Sequence, residues 1–495
     1  MLLFSLAPAA RAQVAPIAPS GSGDAWTGDE VAKLDADLDA FLAGAPGVRG
    51  AHVGVLAIDT RTGATLYARA ADDAFQPAST LKLLVGSAAL EKLGGDYRFT
   101  TAAYATGPII GGVLQGKLVV RGGGDPTLTR RELAELAPVV AQTVRRIRDG
   151  VAADETRYDR RPYPAGWVWD DFGEDYAPVV SPLTVDGNVR DFIVRPGDAV
   201  GSPVRLSLEN RTFTQIGVCS DPNFGLDVVA RTAPPSAPST LDVERILGGC
   251  AALVGAKSLG SGPETVAVAD LDPTMQAGER AVTALQAAGV DVRPWSSGAA
   301  SISQEQRSVA GADPILWSHR SRRLAELLGP DFWIPSDNLF AELLLKELGL
   351  AAAGAPGTTD KGTAFERAWL RAIGVDPATT TLADGSGLSQ YDRITPRDLV
   401  AILQHDWNGP NRQLVLDSLP VGGARGTIEG IAGTAAAGRV FAKTGSMSHV
   451  RGLAGFLATQ RHGAVTFAFM VDDWLGQYDA LAALRARVLS RIVTD

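Results

Sequence analysis

The hydrophobic pattern near the start of the chain predicts one helix followed by two antiparallel strands. Thr27 and Glu30 have the spacing of a capping box. Apolar residues follow at helical spacing: Val31, Leu34, Leu38 and Phe41. Residues 52–58 then form a strand-like run, residues 60–63 a turn, and residues 65–67 the returning strand.

A second helix is predicted to begin at Pro77-Ala78-Ser79 and to end at Gly94-Gly95. Its apolar face is formed by Leu81, Leu84, Val85 and Ala88. A serine at the first turn of this helix lies at the positive end of the helix dipole. That position suits an oxygen on which negative charge develops.

The C-terminal end mirrors the start, with strands predicted over 450–457 and 465–471 and a final helix after them. The apolar face of that helix is formed by Leu481, Leu484, Val488 and Ile492. Helices at both ends, flanking antiparallel strands, predict an α+β domain to which both chain ends contribute. The stretch 102–305 is rich in Gly and Pro with short β-like segments, which predicts mostly β insert domains.

Length, composition and charge limit the classes of function. A chain of 495 residues with 45% hydrophobic and 20% charged residues predicts a globular protein of more than one domain. The net charge of −9 argues against a nucleic-acid partner. The chain contains no run of about 20 apolar residues, so no integral membrane span is predicted.

The N-terminal residues 1–12 predict a signal peptide, because residues 2–7 are apolar and Ala10-Arg11-Ala12 resembles a small-residue cleavage site. An exported protein, periplasmic or associated with the cell wall, is therefore expected. The two cysteines, Cys219 and Cys250, could pair in an oxidising compartment or could be two unrelated reduced residues. Neither has ligand spacing, so no metal and no cofactor are expected.

Three short motifs occur once each in the chain. They are Ser79-Thr80-Leu81-Lys82, Ser336-Asp337-Asn338 and Lys443-Thr444-Gly445. Each motif alone is weak evidence, but their joint occurrence on suitable elements predicts a catalytic site. No Gly-x-Ser-x-Gly motif is present, which argues against an α/β-hydrolase.

Ser79 and Lys82 are three residues apart on a helix, so the lysine amine can reach the serine hydroxyl. Serine is a poor nucleophile until a base removes its proton. Lys82 can be that base if burial and a nearby cation lower its pKa, and Lys443 is the candidate for the cation. The alternative is an ordinary solvated helix lysine.

The other two motifs supply the remaining groups. Ser336 can pass a proton to the leaving amine, and Asn338 can hold Lys82 and a substrate amide. The alternative is that Ser336 or its neighbour only caps the following helix. Lys443 and Thr444 offer a cation and a hydroxyl to a substrate carboxylate. The alternative is that Lys443 and Gly445 are an ordinary lysine and glycine at the edge of a strand.

Two further features concern the approach of substrate to the strand. Gly445 would let an extended substrate lie close to the strand backbone. The backbone amides of Ser79 and Ser446 would form an oxyanion hole. Of the five histidines, His449 is near enough to line the cleft, although a structural role suits it better.

These motifs are signatures of penicillin-binding proteins and serine β-lactamases, and the chain resembles one family over most of its length. That family is the low-molecular-mass class C penicillin-binding proteins, the D-alanyl-D-alanine carboxypeptidase/endopeptidases. Residues 122–128, 166–171 and 384–389 also resemble blocks of this family. The interval from Ser79 to Ser336 is several times longer than in β-lactamases, as two nested insert domains would produce.

The resemblance implies a penicillin-binding domain of 27–101 and 306–495, with an antiparallel sheet between helices and a helical subdomain. It implies a first insert of 102–124 and 203–305, and a second insert of 125–202 nested in the first. It further implies that Ser79 is acylated by peptidoglycan stem peptides ending in or cross-linked through D-Ala, and by β-lactam antibiotics. Asp171 would bind the amino end of a diaminopimelate side chain.

Two other functions fit the same motifs. A β-lactamase would need a group that activates water for rapid deacylation, and no Glu-x-x-x-Asn follows Ser79 at a suitable distance. A non-catalytic module that binds the cell wall would be expected to have lost Ser79 or Lys82, and both are present. The sequence therefore favours the D,D-peptidase.

Overall fold

The computed structural model describes residues 13–15, 23–208, 211–213, 226–246, 250–294, 314–428, 430–476 and 478–495. The predicted signal peptide 1–12, Cys219 and the side chain of Cys250 lie outside the described residues, so export and the disulfide stay predictions. None of the helices within the described ranges is long and apolar enough to cross a membrane.

The chain forms two compact units, each assembled from separate segments. The first unit comprises Met1–Tyr97, Arg323–Asp337 and Thr359–Asp495, and the second comprises Arg98–Arg322 and Asn338–Thr358. The sequence-based division places residues 338–358 in the penicillin-binding domain, whereas the structure assigns them to the second unit.

A hydrophobic contact explains this difference. Leu339 and Leu343, on the helix Asn338–Ala353, pack in one buried cluster with Tyr158 and Val180 of the second unit. Apolar periodicity predicts the helix but not the surface on which it packs.

The first unit is built on a five-stranded antiparallel sheet. In chain order its strands are β1 (His52–Asp59), β2 (Thr65–Arg69), β3 (Val440–Met447), β4 (Val450–Ala458) and β5 (Ala464–Asp472). Their order in the sheet is β3-β4-β5-β1-β2. β1 pairs with β5 over its full length, so both ends of the chain contribute to one sheet.

Helices at the two chain ends cover one face of this sheet, as the apolar patterns predict. The capping box of Thr27 begins the helix Gly28–Leu42, and the helix Tyr478–Thr494 ends the chain. Both helices bury their apolar faces against the sheet in one core. In the described part of the unit, the other α-helices are Lys82–Leu93, Leu324–Leu327, Thr359–Ala372, Pro396–Asn408 and Arg412–Ser418. Short 3₁₀ and π turns are Pro46–Val48, Ala78–Leu81, Leu328–Trp333 and Pro377–Thr379.

The described part of the second unit has two large hydrophobic cores, besides smaller buried clusters. The first core has a four-stranded sheet of Thr100–Ala105, Leu118–Arg121, Val151–Asp154 and Ile315–Arg320. The helices Arg130–Ala134, Leu136–Ala141 and Pro273–Ala287 pack on it. A small sheet is formed by Ile109–Ile110, Val113–Leu114 and Arg146–Ile147.

The second core of this unit is all β in its described part. One sheet contains Val189–Arg195, Arg205–Leu208, Arg211–Phe213 and Glu264–Ala269. Smaller sheets contain Leu226–Val228, Asp242–Ile246, Cys250–Val254, Arg231–Ala233 and Ala256–Ser258. Short 3₁₀ turns, Trp169–Asp171 and Asp186–Asn188, precede it.

The two cores divide the chain at other positions than predicted. We call the all-β core the inner core and the other one the outer core. The buried side chains of the inner core lie within 192–268, rather than within 125–202 as predicted for the nested insert. The reason is that the strand Val151–Asp154 pairs with the strand Leu118–Arg121, so residues 151–154 belong to the outer core. The prediction of β-rich inserts describes the inner core, whereas the outer core also contains helices.

Candidate active site

Ser79 lies in a tight 3₁₀ turn that leads directly into the helix Lys82–Leu93. Ala78, just before the serine, has a φ of 44°, a left-handed conformation that costs about 1–2 kcal/mol for a residue other than Gly. The carbonyl of Pro77 accepts hydrogen bonds from the amide and the hydroxyl of Thr80, at 3.2 and 2.6 Å. These contacts hold the turn in its strained conformation.

Lys82 is completely buried beside the serine. Its Nζ lies 2.7 Å from Oγ of Ser79 and 2.8 Å from the carbonyl oxygen of Ser386. The indole Nε1 of Trp333 donates to the carbonyl of Lys82 at 2.9 Å, which anchors the first turn of the helix. The structure therefore brings together the serine and lysine that the sequence pairs.

Lys443, on β3, is also completely buried. Its Nζ donates to Oγ of Ser336 at 2.8 Å and to the carbonyl of Thr444 at 3.0 Å. Burial, followed by the positive charge of Lys82, lowers the pKa of Lys443 well below its ordinary value. Two buried amines that repel each other disfavour a state in which both are charged.

Gly445 has a packing role beside the nucleophile. A Cβ at this position would lie 2.6 Å from the carbonyl oxygen of Pro77 and 3.2 Å from Cβ of Ala78. The glycine therefore lets the Ser79 turn lie directly on β3. The predicted approach of substrate to the same glycine stays a prediction.

β3 is the edge strand of the sheet, and its outer side carries the second predicted oxyanion donor. The amide of Ala442 donates outward to the carbonyl of Pro420 at 3.0 Å. Because amides of an antiparallel strand alternate in direction, the amide of Ser446 faces the same outer side. The hydroxyls of Thr444 and Thr427 are 2.5 Å apart.

The remaining two predicted residues lie in the second unit, where Tyr176 joins them. Nδ2 of Asn338 donates to the carbonyl of Tyr176 at 2.7 Å. Asp171 accepts two hydrogen bonds. The hydroxyl of Tyr176 donates to its Oδ1 at 3.1 Å, and the amide of Val168 donates to its Oδ2 at 3.3 Å. Burial raises the pKa of Asp171 above its ordinary value. The roles predicted for Asn338 and Asp171 toward substrate stay predictions.

Sequence reasoning did not assign Ser386, Trp333 or Thr427 to the site. Ser386 lies in the Gly-rich block 384–389, whose turn residues were the available signal. Nothing in the sequence marks Trp333 or Thr427. His449 lies in the turn between β3 and β4, and its Nδ1 is 2.9 Å from the carbonyl oxygen of Trp474. These contacts agree with the structural role expected for this histidine.

Comparison with known proteins yields one consistent group. The model of the D-Ala-D-Ala carboxypeptidase 3 (S13) family matches residues 34–489. The D-alanyl-D-alanine carboxypeptidase of Actinomadura sp. (strain R39) is 34% identical over 446 residues, which cover 87% of this chain and 79% of that protein. D-alanyl-D-alanine carboxypeptidase DacB of Haemophilus influenzae is 27% identical, with 80% of each chain covered.

The fold of the chain is also found among solved structures. Penicillin binding protein 4 (dacB) from Haemophilus influenzae matches with a TM-score of 0.77 and 22% identity, over 93% of this chain and 99% of that one. This match confirms the predicted fold class of a sheet between helices with inserted domains.

Proposed function

The chain belongs to the D-Ala-D-Ala carboxypeptidase 3 (S13) family, and we propose that it works as a serine D,D-peptidase through an acyl-enzyme on Ser79. The observation that carries this assignment is the buried amine of Lys82, 2.7 Å from the Ser79 hydroxyl. A base at this distance can take the hydroxyl proton as the oxygen attacks.

The first half-reaction follows from this pair. Neutral Lys82 accepts the proton of Ser79, and Oγ attacks the carbonyl carbon of the penultimate D-Ala. The oxyanion of the tetrahedral intermediate is stabilised by the amides of Ser79 and Ser446. Ser336, hydrogen-bonded to Lys443, passes a proton to the leaving amine of the terminal D-Ala. Water then attacks the ester by the reverse sequence of proton transfers.

Substrate lies along the outer edge of β3 as an added strand. Its terminal carboxylate contacts the hydroxyl of Thr444 and the positive charge held by the pair of Lys82 and Lys443. Asn338 holds the substrate amide, and Asp171 receives the amino end of a diaminopimelate side chain. The substrates are peptidoglycan stem peptides, the inhibitors are β-lactams, and the enzyme works outside the cytoplasm. Removal of a terminal D-Ala and cleavage of D-Ala cross-links use the same acyl-enzyme.

The first test is intact-mass spectrometry after incubation with benzylpenicillin. One covalent adduct on the Ser79 peptide is expected. Ser79→Ala should form none, and Lys82→Ala should acylate several orders of magnitude more slowly with its fold intact by circular dichroism. Near-normal acylation of Lys82→Ala at neutral pH would show that another group is the base.

Nitrocefin separates this function from a β-lactamase. A D,D-peptidase releases a stoichiometric burst of product and then turns over slowly, whereas a β-lactamase hydrolyses nitrocefin rapidly and steadily. Absence of any penicillin adduct on the wild-type chain would instead favour a non-catalytic wall-binding module.

A further inference from the structure

A short loop outside the three motifs contacts the proposed general base. We call residues 384–389 the support loop. The carbonyl oxygen of Ser386 in this loop accepts a hydrogen bond from Nζ of Lys82 at 2.8 Å. The loop is more than 300 residues away in sequence, so this contact depends on the folded first unit.

The side chain of Asp384 fixes the shape of the support loop. Its completely buried carboxylate accepts hydrogen bonds from the amide of Gly387 at 2.7 Å and the amide of Ser389 at 2.8 Å. The hydroxyl of Ser386 donates to the same carboxylate at 2.9 Å. Hydrogen bonds to a charged acceptor are stronger than neutral ones, so this set holds the Ser386 carbonyl in a defined direction.

The support loop also contacts the residue that precedes the nucleophile. Gly387 has a φ of 78°, and a Cβ built on it would lie 1.8 Å from the carbonyl oxygen of Ala78. Only glycine satisfies both the backbone conformation and this close approach. One loop therefore touches both the Ser79 turn and the amine of Lys82.

The chemistry of the Ser79 and Ser386 contacts at Nζ gives the loop a function. A neutral amine has two N–H groups and one lone pair, and a carbonyl oxygen can only accept. When Ser386 occupies an N–H, the lone pair can face the hydroxyl of Ser79, which carries the proton to be removed. A base oriented in this way needs no rotation before it reacts.

We propose that Asp384 is a positioning residue of the reaction, which orients the Lys82 amine through the Ser386 carbonyl. This inference rests on the proposed function, in which Lys82 is the base. Among the described residues, Lys443 from β3 bears on Lys82 through its charge, and Asp384 is linked to Lys82 through Ser386. Loss of the carbonyl contact or of the Asp384 charge would each favour the neutral amine.

The experiment measures the second-order rate constant of benzylpenicillin acylation against pH for two variants. Asp384→Asn keeps the side-chain shape but removes the charge and one acceptor site, and we expect acylation to slow about 10–100-fold. Ser386→Ala keeps the charge and weakens the loop, and we expect a smaller loss of about 3–10-fold. In both variants the acidic limb of the pH profile should move to lower pH.

The control is Asp376→Asn, an exposed aspartate that also accepts a backbone amide, from Ala378 at 2.9 Å. It should acylate like wild type. Wild-type rates in both loop variants would overturn the proposal. So would a pH shift in Asp384→Asn with an unchanged limiting acylation rate, because the charge would then alter the titration of Lys82 without orienting its amine. Failure of the proposed function is distinct, since wild type would then form no adduct on Ser79.

Discussion

At the scale of single residues, the site depends on two completely buried lysines, Lys82 and Lys443. Nζ of Lys443 binds a hydroxyl and a carbonyl, both of which can satisfy a neutral amine. Burial of a charged amine is costly, and the neighbouring Lys82 adds repulsion. The residues that make the chemistry possible therefore work against the stability of the fold.

This conflict predicts a pH dependence of stability. Because the pKa of Lys443 is lowered in the folded state, the unfolded chain binds more protons between that pKa and the ordinary one, 10.5. The free energy of unfolding should therefore rise with pH through this window, by up to about 1.4 kcal/mol per pH unit. Lys443→Met should have a flatter profile than wild type in urea unfolding from pH 7 to pH 10.

The matched control for that measurement is Lys92→Met, since Lys92 is exposed at the end of the helix Lys82–Leu93. Its profile should run parallel to that of wild type. Parallel profiles for wild type and Lys443→Met would contradict the account of Lys443 as a buried, destabilising amine.

Thr427 is a second residue-scale feature, because its hydroxyl is 2.5 Å from that of Thr444. One of the two hydroxyls donates to the other, so Thr427 limits the orientations open to the hydroxyl of Thr444. Thr427→Val removes this partner, and we expect KM for a D-Ala-D-Ala peptide to rise about 2–10-fold with little change in kcat, the range of one ordinary hydrogen bond. Thr494→Val, an exposed hydroxyl at the end of the last helix, serves as control. An unchanged KM in Thr427→Val would exclude the role.

At the scale of elements, apolar periodicity predicted the parts that build the catalytic sheet. β1, β2, β4, β5 and the two terminal helices lie where the pattern places them, because each buries a continuous apolar face. Two of the motifs predicted that Lys82 lies beside Ser79 and that Lys443 acts on Lys82. Periodicity says nothing of contacts between distant loops, so Ser386 and Trp333 could not be assigned, nor could the division between the two cores of the second unit.

Gly445 shows how one element limits another. An added methyl group would meet the carbonyl of Pro77 at 2.6 Å, and this carbonyl holds the Ser79 turn. We expect Gly445→Ala to displace the turn and slow penicillin acylation by about 100-fold, since a shift of about 1 Å has that effect on a reacting pair. Gly28→Ala, where an added Cβ meets no atom within 4 Å, is the control. Undiminished acylation in Gly445→Ala would show that the packing is not critical.

At the scale of the whole molecule, the inner core of the second unit begins and ends at one place. Asp191 and Ala267 are direct antiparallel partners, so their Cα atoms are about 5 Å apart. All described strands of that core beyond this pair lie between them in sequence. The chain thus enters and leaves the inner core through one pair of neighbouring strands.

A deletion tests this connection. Replacing residues 192–266 with Asn-Gly should close a two-residue hairpin between Asp191 and Ala267 while keeping the buried Arg190–Asp270 ion pair. Because Ser79, Lys82 and Lys443 belong to the first unit, we expect the deletion variant to be acylated by benzylpenicillin within about threefold of the wild-type rate. A folded variant without acylation would show that the inner core supports the site.

The pairing of β1 with β5 has a consequence for how the activity arises in time. Ser79 is synthesised soon after β1, yet β1 needs a partner strand, β5, that is synthesised some four hundred residues later. Pairing over so long a separation is slow to form. A nascent chain therefore carries its nucleophile in a latent state, and peptidase activity can appear only after β5 has been synthesised.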